Sequence, residues 1–136
     1  MKVFLDTNVL FLGARGLSEK AGQLLMRADL HFVTSEYVRL EVLPKPVFFQ
    51  YRAEIATYER FFARATLVPS TQELRDLAQK EAQRWGLGGM DALHIAAASL
   101  GGAACFITGE KESKPLYRST LLPVAHFTQF DAKLLR

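Results

Sequence analysis

Four acidic residues stand where the surrounding sequence leaves a charge to be explained. Asp6 ends the apolar run Val3-Phe4-Leu5 and is followed by Thr7-Asn8-Val9-Leu10. Burying an unpaired carboxylate is costly, so Asp6 must be hydrogen-bonded, paired or metal-bound. Glu41 lies in Tyr37-Val38-Arg39-Leu40-Glu41-Val42-Leu43. There it sits over Tyr37 and Val38, at the spacings that bring side chains together on a helix. Asp91 is the sole acid in Gly88-Gly89-Met90-Asp91-Ala92-Leu93-His94-Ile95-Ala96-Ala97-Ala98. Glu110 follows an apolar run in Thr108-Gly109-Glu110-Lys111-Glu112. Each acid has a plainer role open to it. Asp6 suits a helix cap, aided by Asn8. Glu41 suits an ion pair with Arg39 or Lys45, or simple hydration. Asp91 suits the first turn of a helix, where the dipole favours an anion. Glu110 suits a solvated loop. Together, however, they make a cluster that repels itself unless cations hold it. Oxygen donors without a Cys or His ligand set suit Mg²⁺ or Mn²⁺. Such ions lower the pKa of bound water and steady a leaving oxygen, which suits phosphodiester hydrolysis.

The elements that must position these acids follow from apolar spacing. Lys2–Asp6, His31–Thr34, Leu67–Pro69, Ala104–Thr108 and Leu122–Ala125 read as short strands. Ser18 caps a helix running to about Ala28, and Ser35 starts one that ends before Pro44. Val47 to about Ala65 reads as the longest helix, with Tyr51, Ile55, Tyr58 and Phe62 in one stripe. Ser70-Thr71-Gln72-Glu73 reads as a capping box. The helix it opens carries Leu74, Leu77, Ala78, Ala82 and Trp85 on one face and stops at Gly86. From about Met90 to Leu100 a helix is nearly apolar all round, so it should be central and buried. A last helix is predicted to start near Thr128. Strands alternating with helices give an α/β domain with a largely parallel sheet and helices on both faces. In such folds active sites gather at the carboxyl ends of the strands, where Asp6, Ser35 and Thr108 all fall.

Length and composition set the outer bounds. At 136 residues, 49% hydrophobic and 23% charged, the chain is the size of one domain and can bury a core without staples. No repeat, linker or low-complexity tract interrupts it. The single cysteine, Cys105, excludes an internal disulfide and fits a reducing cytoplasm. No apolar run approaches the roughly 20 residues of a membrane span. The short Val3–Leu5 run is no signal peptide's apolar region. The net charge of +3 permits contact with a polyanion without demanding it.

The residues in this order resemble the PIN-domain nucleases, toxin-type (VapC-like) branch. The resemblance rests on Asp6-Thr7-Asn8 after the first strand, Ser35 with Glu41 six residues on, Asp91-Ala92-Leu93 opening an Ala-rich helix, and Thr108-x-acid after the next strand. It spans nearly the whole chain. It implies a three-layer α/β/α fold around a parallel sheet of about five strands, and a Mg²⁺- or Mn²⁺-dependent endoribonuclease. Asp6, Glu41 and Asp91 match the family's core metal-binding acids. Glu110 stands where the family commonly has Asp, with Glu112 as a lower-ranked substitute. Thr7, Asn8 and Thr108 match the family's polar residues around the site. The resemblance further implies a homodimer and a separate antitoxin protein.

Other residues fit around this reading. Lys111, Lys114 and Arg118 follow Glu110 and suit contact with an RNA backbone. Arg52 and Arg60 suit a solvated helix face, with Arg64 one turn beyond Arg60, and Tyr51, Tyr58 and Phe62 suit core or dimer contact. His94, three residues after Asp91, suits a hydrogen-bonded core histidine more than a proton shuttle. Two other functions compete with the nuclease. The first is a degenerate PIN domain that binds RNA or protein without cutting, motivated by Glu110. The second is a phosphatase-like hydrolase with an Asp nucleophile. That chemistry usually wants a second acid two residues on, where this chain has Asn8.

Overall fold

The computed structural model describes residues 1–131. Five short apolar segments become the strands of one sheet: β1 (Lys2–Leu5), β2 (His31–Ser35), β3 (Thr66–Val68), β4 (Cys105–Thr108) and β5 (Val124–His126). Their order is β3-β2-β1-β4-β5, and every neighbouring pair is parallel. Parallel strands need crossovers, and the helices supply them. They are α1 (Thr7–Ala14), α2 (Glu19–Leu25), α3 (Glu36–Val42), α4 (Pro44–Phe49), α5 (Arg52–Arg64), α6 (Gln72–Trp85) and α7 (Gly89–Leu100). A short 3-10 helix, Pro115–Arg118, precedes β5. No helix among the described residues is long and apolar enough to cross a membrane.

Alternation along the strands assigns the layers. Phe4 meets His94 of α7, with ring centroids 6.0 Å apart, and stacks on Phe106 of β4 at 5.4 Å. Phe32 lies in register with Val3 and so points to the other face, where it meets Phe61 of α5 at 5.2 Å. Helices therefore cover both faces, giving the α/β/α sandwich. The central strand β1 is buried at Val3, Phe4 and Leu5, as expected of a parallel strand covered on both sides. It joins β2 on one side and β4, about a hundred residues further along the chain, on the other. The Ala-rich α7 is central as its composition predicts: Ala92 and His94 through Ala98 are buried. It closes on the sheet at Gly101, where an added Cβ would lie 2.4 Å from Val33 and 2.7 Å from Val68.

Several local expectations are corrected. The predicted helix over Val47–Ala65 is two helices. Pro44 does not merely end α3; it occupies the first turn of α4, where its missing N–H costs nothing. Gln50 then takes a left-handed conformation (φ 59°) that ends α4, and α5 begins at Arg52. Tyr51 thus lies outside the stripe and is exposed, whereas Tyr58 is fully buried. The cap of α6 is Thr71, whose Oγ accepts from the Leu74 N–H at 3.1 Å. Ser70 is instead hydrogen-bonded to the Tyr37 hydroxyl at 2.5 Å. Glu81, not expected on the inner face of α6, is buried because Ser119 donates to it at 2.5 Å. The helix capped by Ser18 stops at Leu25, and β5 lies two residues later than its apolar run suggests. Thr128 lies in a turn, and any helix beyond it lies outside the described residues.

Candidate active site

The central strand delivers Asp6 to the carboxyl edge of the sheet. Its backbone N–H still donates to the Ile107 carbonyl at 2.8 Å, so the residue is fixed by the β1–β4 ladder before its side chain does anything. The residue is 4% exposed. One carboxylate oxygen, Oδ1, accepts from the Thr7 N–H at 2.8 Å, which makes Asp6 the cap of α1. The other, Oδ2, accepts from the Thr108 hydroxyl at 2.8 Å. Thr108 Oγ1 in turn accepts from the Glu110 N–H at 3.0 Å, so one buried hydroxyl orients both Asp6 and the loop that carries Glu110. Asn8 fixes the same loop, its Oδ1 accepting from the Gly109 N–H at 2.9 Å. Gly109 has no Cβ to intrude there: a Cβ would lie 3.2 Å from Asn8 Oδ1.

The remaining acids arrive from helices. Asp91 sits half-buried in the first turn of α7. Glu41 lies in the last turn of α3, a helix capped by the fully buried Ser35. The ion pair with Arg39, one of the plainer roles open to it, does not form among the described residues: Arg39 pairs with Glu59 at 3.6 Å. Glu41 Oε1 is instead hydrogen-bonded to Nε2 of His94. That bond links α3 to α7 and could not be foreseen from the sequence, although the three-residue spacing of His94 from Asp91 puts them on one side of α7.

Electrostatics draw these groups into one centre. Burial pushes the Asp6 carboxyl up, and the Asp91 charge adds to that push. The His94 ring and the hydrogen bonds from Thr108 and Thr7 act in the opposite direction. Burial also raises Asp91, with the charges of Glu110 and Glu41 adding to it, while His94 and Lys114 lower it. Asp6, Glu41, Asp91 and Glu110 therefore share a neighbourhood with an excess of negative charge. Tyr117 joins them without any sequence signal. Its hydroxyl donates to the Glu110 carbonyl at 2.8 Å, and burial with the charges of Glu112, Glu110 and Asp6 raises its pKa.

The basic residues divide. Lys114 faces Asp91, and Lys111 is exposed beside it. Arg118 is engaged elsewhere, donating to the Trp85 carbonyl at the end of α6 at 3.0 Å. Arg64 clamps the carbonyls of Leu25 and Arg27 at 3.1 and 2.7 Å and covers the Phe32 ring. Arg60 and Arg52 are exposed on α5.

Among the described residues no group of three or more His, Cys, Asp or Glu side chains is arranged to hold a metal ion. The donor chemistry nevertheless fits Mg²⁺ or Mn²⁺. The donors are hard oxygens, neighbouring acids help to raise the pKa of Asp6 and Asp91, and the centre is partly open. Mg²⁺ is commonly held by one or two carboxylates, with waters and substrate phosphates completing its shell, so a closed protein cage is not required.

The family model for the PIN domain matches residues 3–117. The chain superposes on Rickettsia felis VapBC2, solved with a fragment of promoter DNA, with a TM-score of 0.69 at 17% identity, over 96% of this chain and 100% of that one. For VapBC-1 of nontypeable Haemophilus influenzae the values are 0.69, 19%, 95% and 100%. For a toxin–antitoxin complex from Klebsiella pneumoniae they are 0.64, 18%, 82% and 90%. At such identities the likeness is one of fold. No curated protein matches the chain in sequence. The family match begins in β1 and ends within the 3-10 helix, so it encloses Asp6, Glu41, Asp91 and Glu110; the chain belongs to the PIN domain family.

Proposed function

We propose that this chain, acting as a single PIN-like domain, is a divalent-metal-dependent endoribonuclease that hydrolyses RNA phosphodiester bonds. The observation that carries the reading is Asp6. It is a buried carboxylate at the carboxyl end of the central strand, held by Thr7 and Thr108, whose charge faces that of Asp91. Protein interiors do not keep such a group ionised without a counter-charge. Asp6 and Asp91, with Glu41 and Glu110, would hold Mg²⁺ or Mn²⁺. The bound ion would supply an acidified water and a charge on the leaving oxygen.

The chain's own residues do the rest. Thr108 and Thr7 hold the two Asp6 oxygens, so the carboxylate reaches the site in one orientation. Asn8 and Thr108 pin the Gly109–Glu110 backbone, which limits where the longer Glu110 side chain can reach. Lys114 and Lys111 offer cations to a phosphate backbone, and Arg118 extends the same basic segment.

The structural relatives named VapBC, and the toxin–antitoxin complex among them, support a finer reading. In it the chain is the toxin of a toxin–antitoxin pair, partnered by a separate antitoxin protein, working as a homodimer in the cytoplasm. The test is cleavage of a mixed-sequence labelled RNA with Mg²⁺, Mn²⁺ or EDTA, comparing wild type with Asp6→Asn and Asp91→Asn. Metal-dependent cutting lost in both variants is the expected result. Cutting that survives both substitutions would sink the site assignment.

A second reading is a degenerate PIN domain that binds RNA or protein without cutting. Glu110 in place of Asp and the lack of a closed ligand set among the described residues favour it. Retained RNA binding without cleavage, together with no heat of Mn²⁺ binding at millimolar metal, would establish it.

A further inference from the structure

His94 is an expensive residue for its position. It is 1% exposed, on an Ala-rich helix whose flanking residues Ala92 and Ile95 through Ala98 are buried, with its ring against Phe4. Its Nδ1 is buried and has no hydrogen-bond partner among the described residues. A leucine would fill the same place without stranding a polar nitrogen, and stranded polar atoms are rare because they lose their water for nothing. The ring's one hydrogen bond among the described residues joins Nε2 to Glu41 Oε1. An ionised carboxylate only accepts, so Nε2 carries the hydrogen and donates it.

Glu41 needs such an anchor. Its side chain is 33% exposed at the end of a short helix. A flexible side chain with that much access to water would otherwise be spread over several rotamers. Arg39, the obvious alternative partner, is paired with Glu59.

Resting on the metal-site reading above, we propose that His94 is a positioning residue: it fixes Glu41 through Oε1 so that the other carboxylate oxygen is presented, beside Asp91, to the divalent cation. Asp91 and His94 are then two parts of one device on one side of α7. The first contributes charge, and the second places the charge that α3 contributes. Outer partners of this kind orient ligands and typically change metal affinity about 10–100-fold when removed.

The experiment is calorimetric titration of Mn²⁺ into the EDTA-stripped full chain. Wild type is compared with His94→Leu, His94→Gln, Glu41→Gln, Asp91→Asn and the double variant His94→Leu/Glu41→Gln, with denaturant unfolding of each in parallel. His94→Leu is expected to weaken Mn²⁺ binding about 10-fold or more, while its metal-free stability is unchanged or raised. His94→Gln, whose amide restores a donor, should recover most of the affinity. In the Glu41→Gln background, His94→Leu should have no further effect.

A merely structural histidine would give the reverse pattern, with stability lost and affinity kept. If His94→Leu binds Mn²⁺ within about threefold of wild type while Asp91→Asn does not bind, positioning is overturned and the metal site stands. If wild type itself takes up no Mn²⁺, the metal-site reading falls and this inference falls with it.

Discussion

Replacing Thr108 by valine removes one hydroxyl and keeps the shape of the side chain. Thr108 is fully buried, and its Oγ1 makes two bonds: it donates to Asp6 Oδ2 at 2.8 Å and accepts from the Glu110 N–H at 3.0 Å. A hydrogen bond to a charged group is worth about 1.5–3 kcal/mol, and a neutral one to a partly buried amide roughly 1 kcal/mol. Thr108→Val should therefore cost about 2–4 kcal/mol in the metal-free protein at neutral pH. With an unfolding entropy of roughly 2.1 cal/mol/K per residue, a chain of 136 residues loses about 3.5 °C per kcal/mol. The expected fall in Tm is then roughly 7–14 °C. The pH dependence makes the test sharper. The Asp6 carboxyl is already raised by burial, and the Thr108 hydroxyl is one of the groups holding it down. Without the hydroxyl, Asp6 rises further. A raised acid contributes stability that is complete below its unfolded pKa and lost as pH climbs through the folded value. The penalty of Thr108→Val should therefore shrink as pH falls from neutral toward about 4, because a protonated Asp6 no longer needs the donor. Denaturant unfolding in EDTA at several pH values, with Asp6→Asn completing a double-mutant cycle, measures this. A penalty under about 0.5 kcal/mol, or one that does not change with pH, would refute the proposed coupling.

Three further outcomes are expected. In EDTA, Asp91→Asn should unfold a few degrees above wild type at neutral pH, because burial, Glu110 and Glu41 all disfavour the charge it removes. The gap should close toward pH 4 and reverse under saturating Mg²⁺, and a constant gap in thermal scans would contradict this account. Gly101→Ala drives a methyl to 2.4 Å from Val33 and 2.7 Å from Val68, so it should cost about 1–3 kcal/mol by overpacking; a neutral result in urea unfolding would mean that α7 can lift off the sheet. Gln50→Gly relieves a left-handed residue at the end of α4 and should stabilise by roughly 0.5–1 kcal/mol, read from the shift of the urea midpoint.

What the sequence made visible was what depends on local pattern. Asp6 and Asp91 were legible because each is an acid set against a continuous apolar run, and the run declared its element and its burial. The strand order was less so, but the alternation of strands with helices already demanded parallel crossovers. The failures share a cause. Val47 and Tyr51 keep helical spacing across Gln50, so periodicity alone hides the break, and a left-handed glutamine has no composition signal. Ser70 and Thr71 are chemically equal caps, and Tyr37, 33 residues away, selects between them by engaging Ser70. Glu81 is buried by a serine 38 residues away. The His94–Glu41 bond joins residues 53 apart, through the packing of α3 on α7. Each is decided by a tertiary neighbour, which no local window contains.

The central place of β1 carries a consequence for biosynthesis. Translation makes this strand well before one of its two partners, β4, which follows about a hundred residues later. The bond that seats Asp6 spans 102 residues. Closing so long a loop is slow and has to await both ends. A nascent chain that ends before Cys105 therefore has Asp6 but neither the strand beside it nor the hydroxyl that orients it. The topology thus withholds the assembled candidate site from the growing polypeptide until β4 has been made.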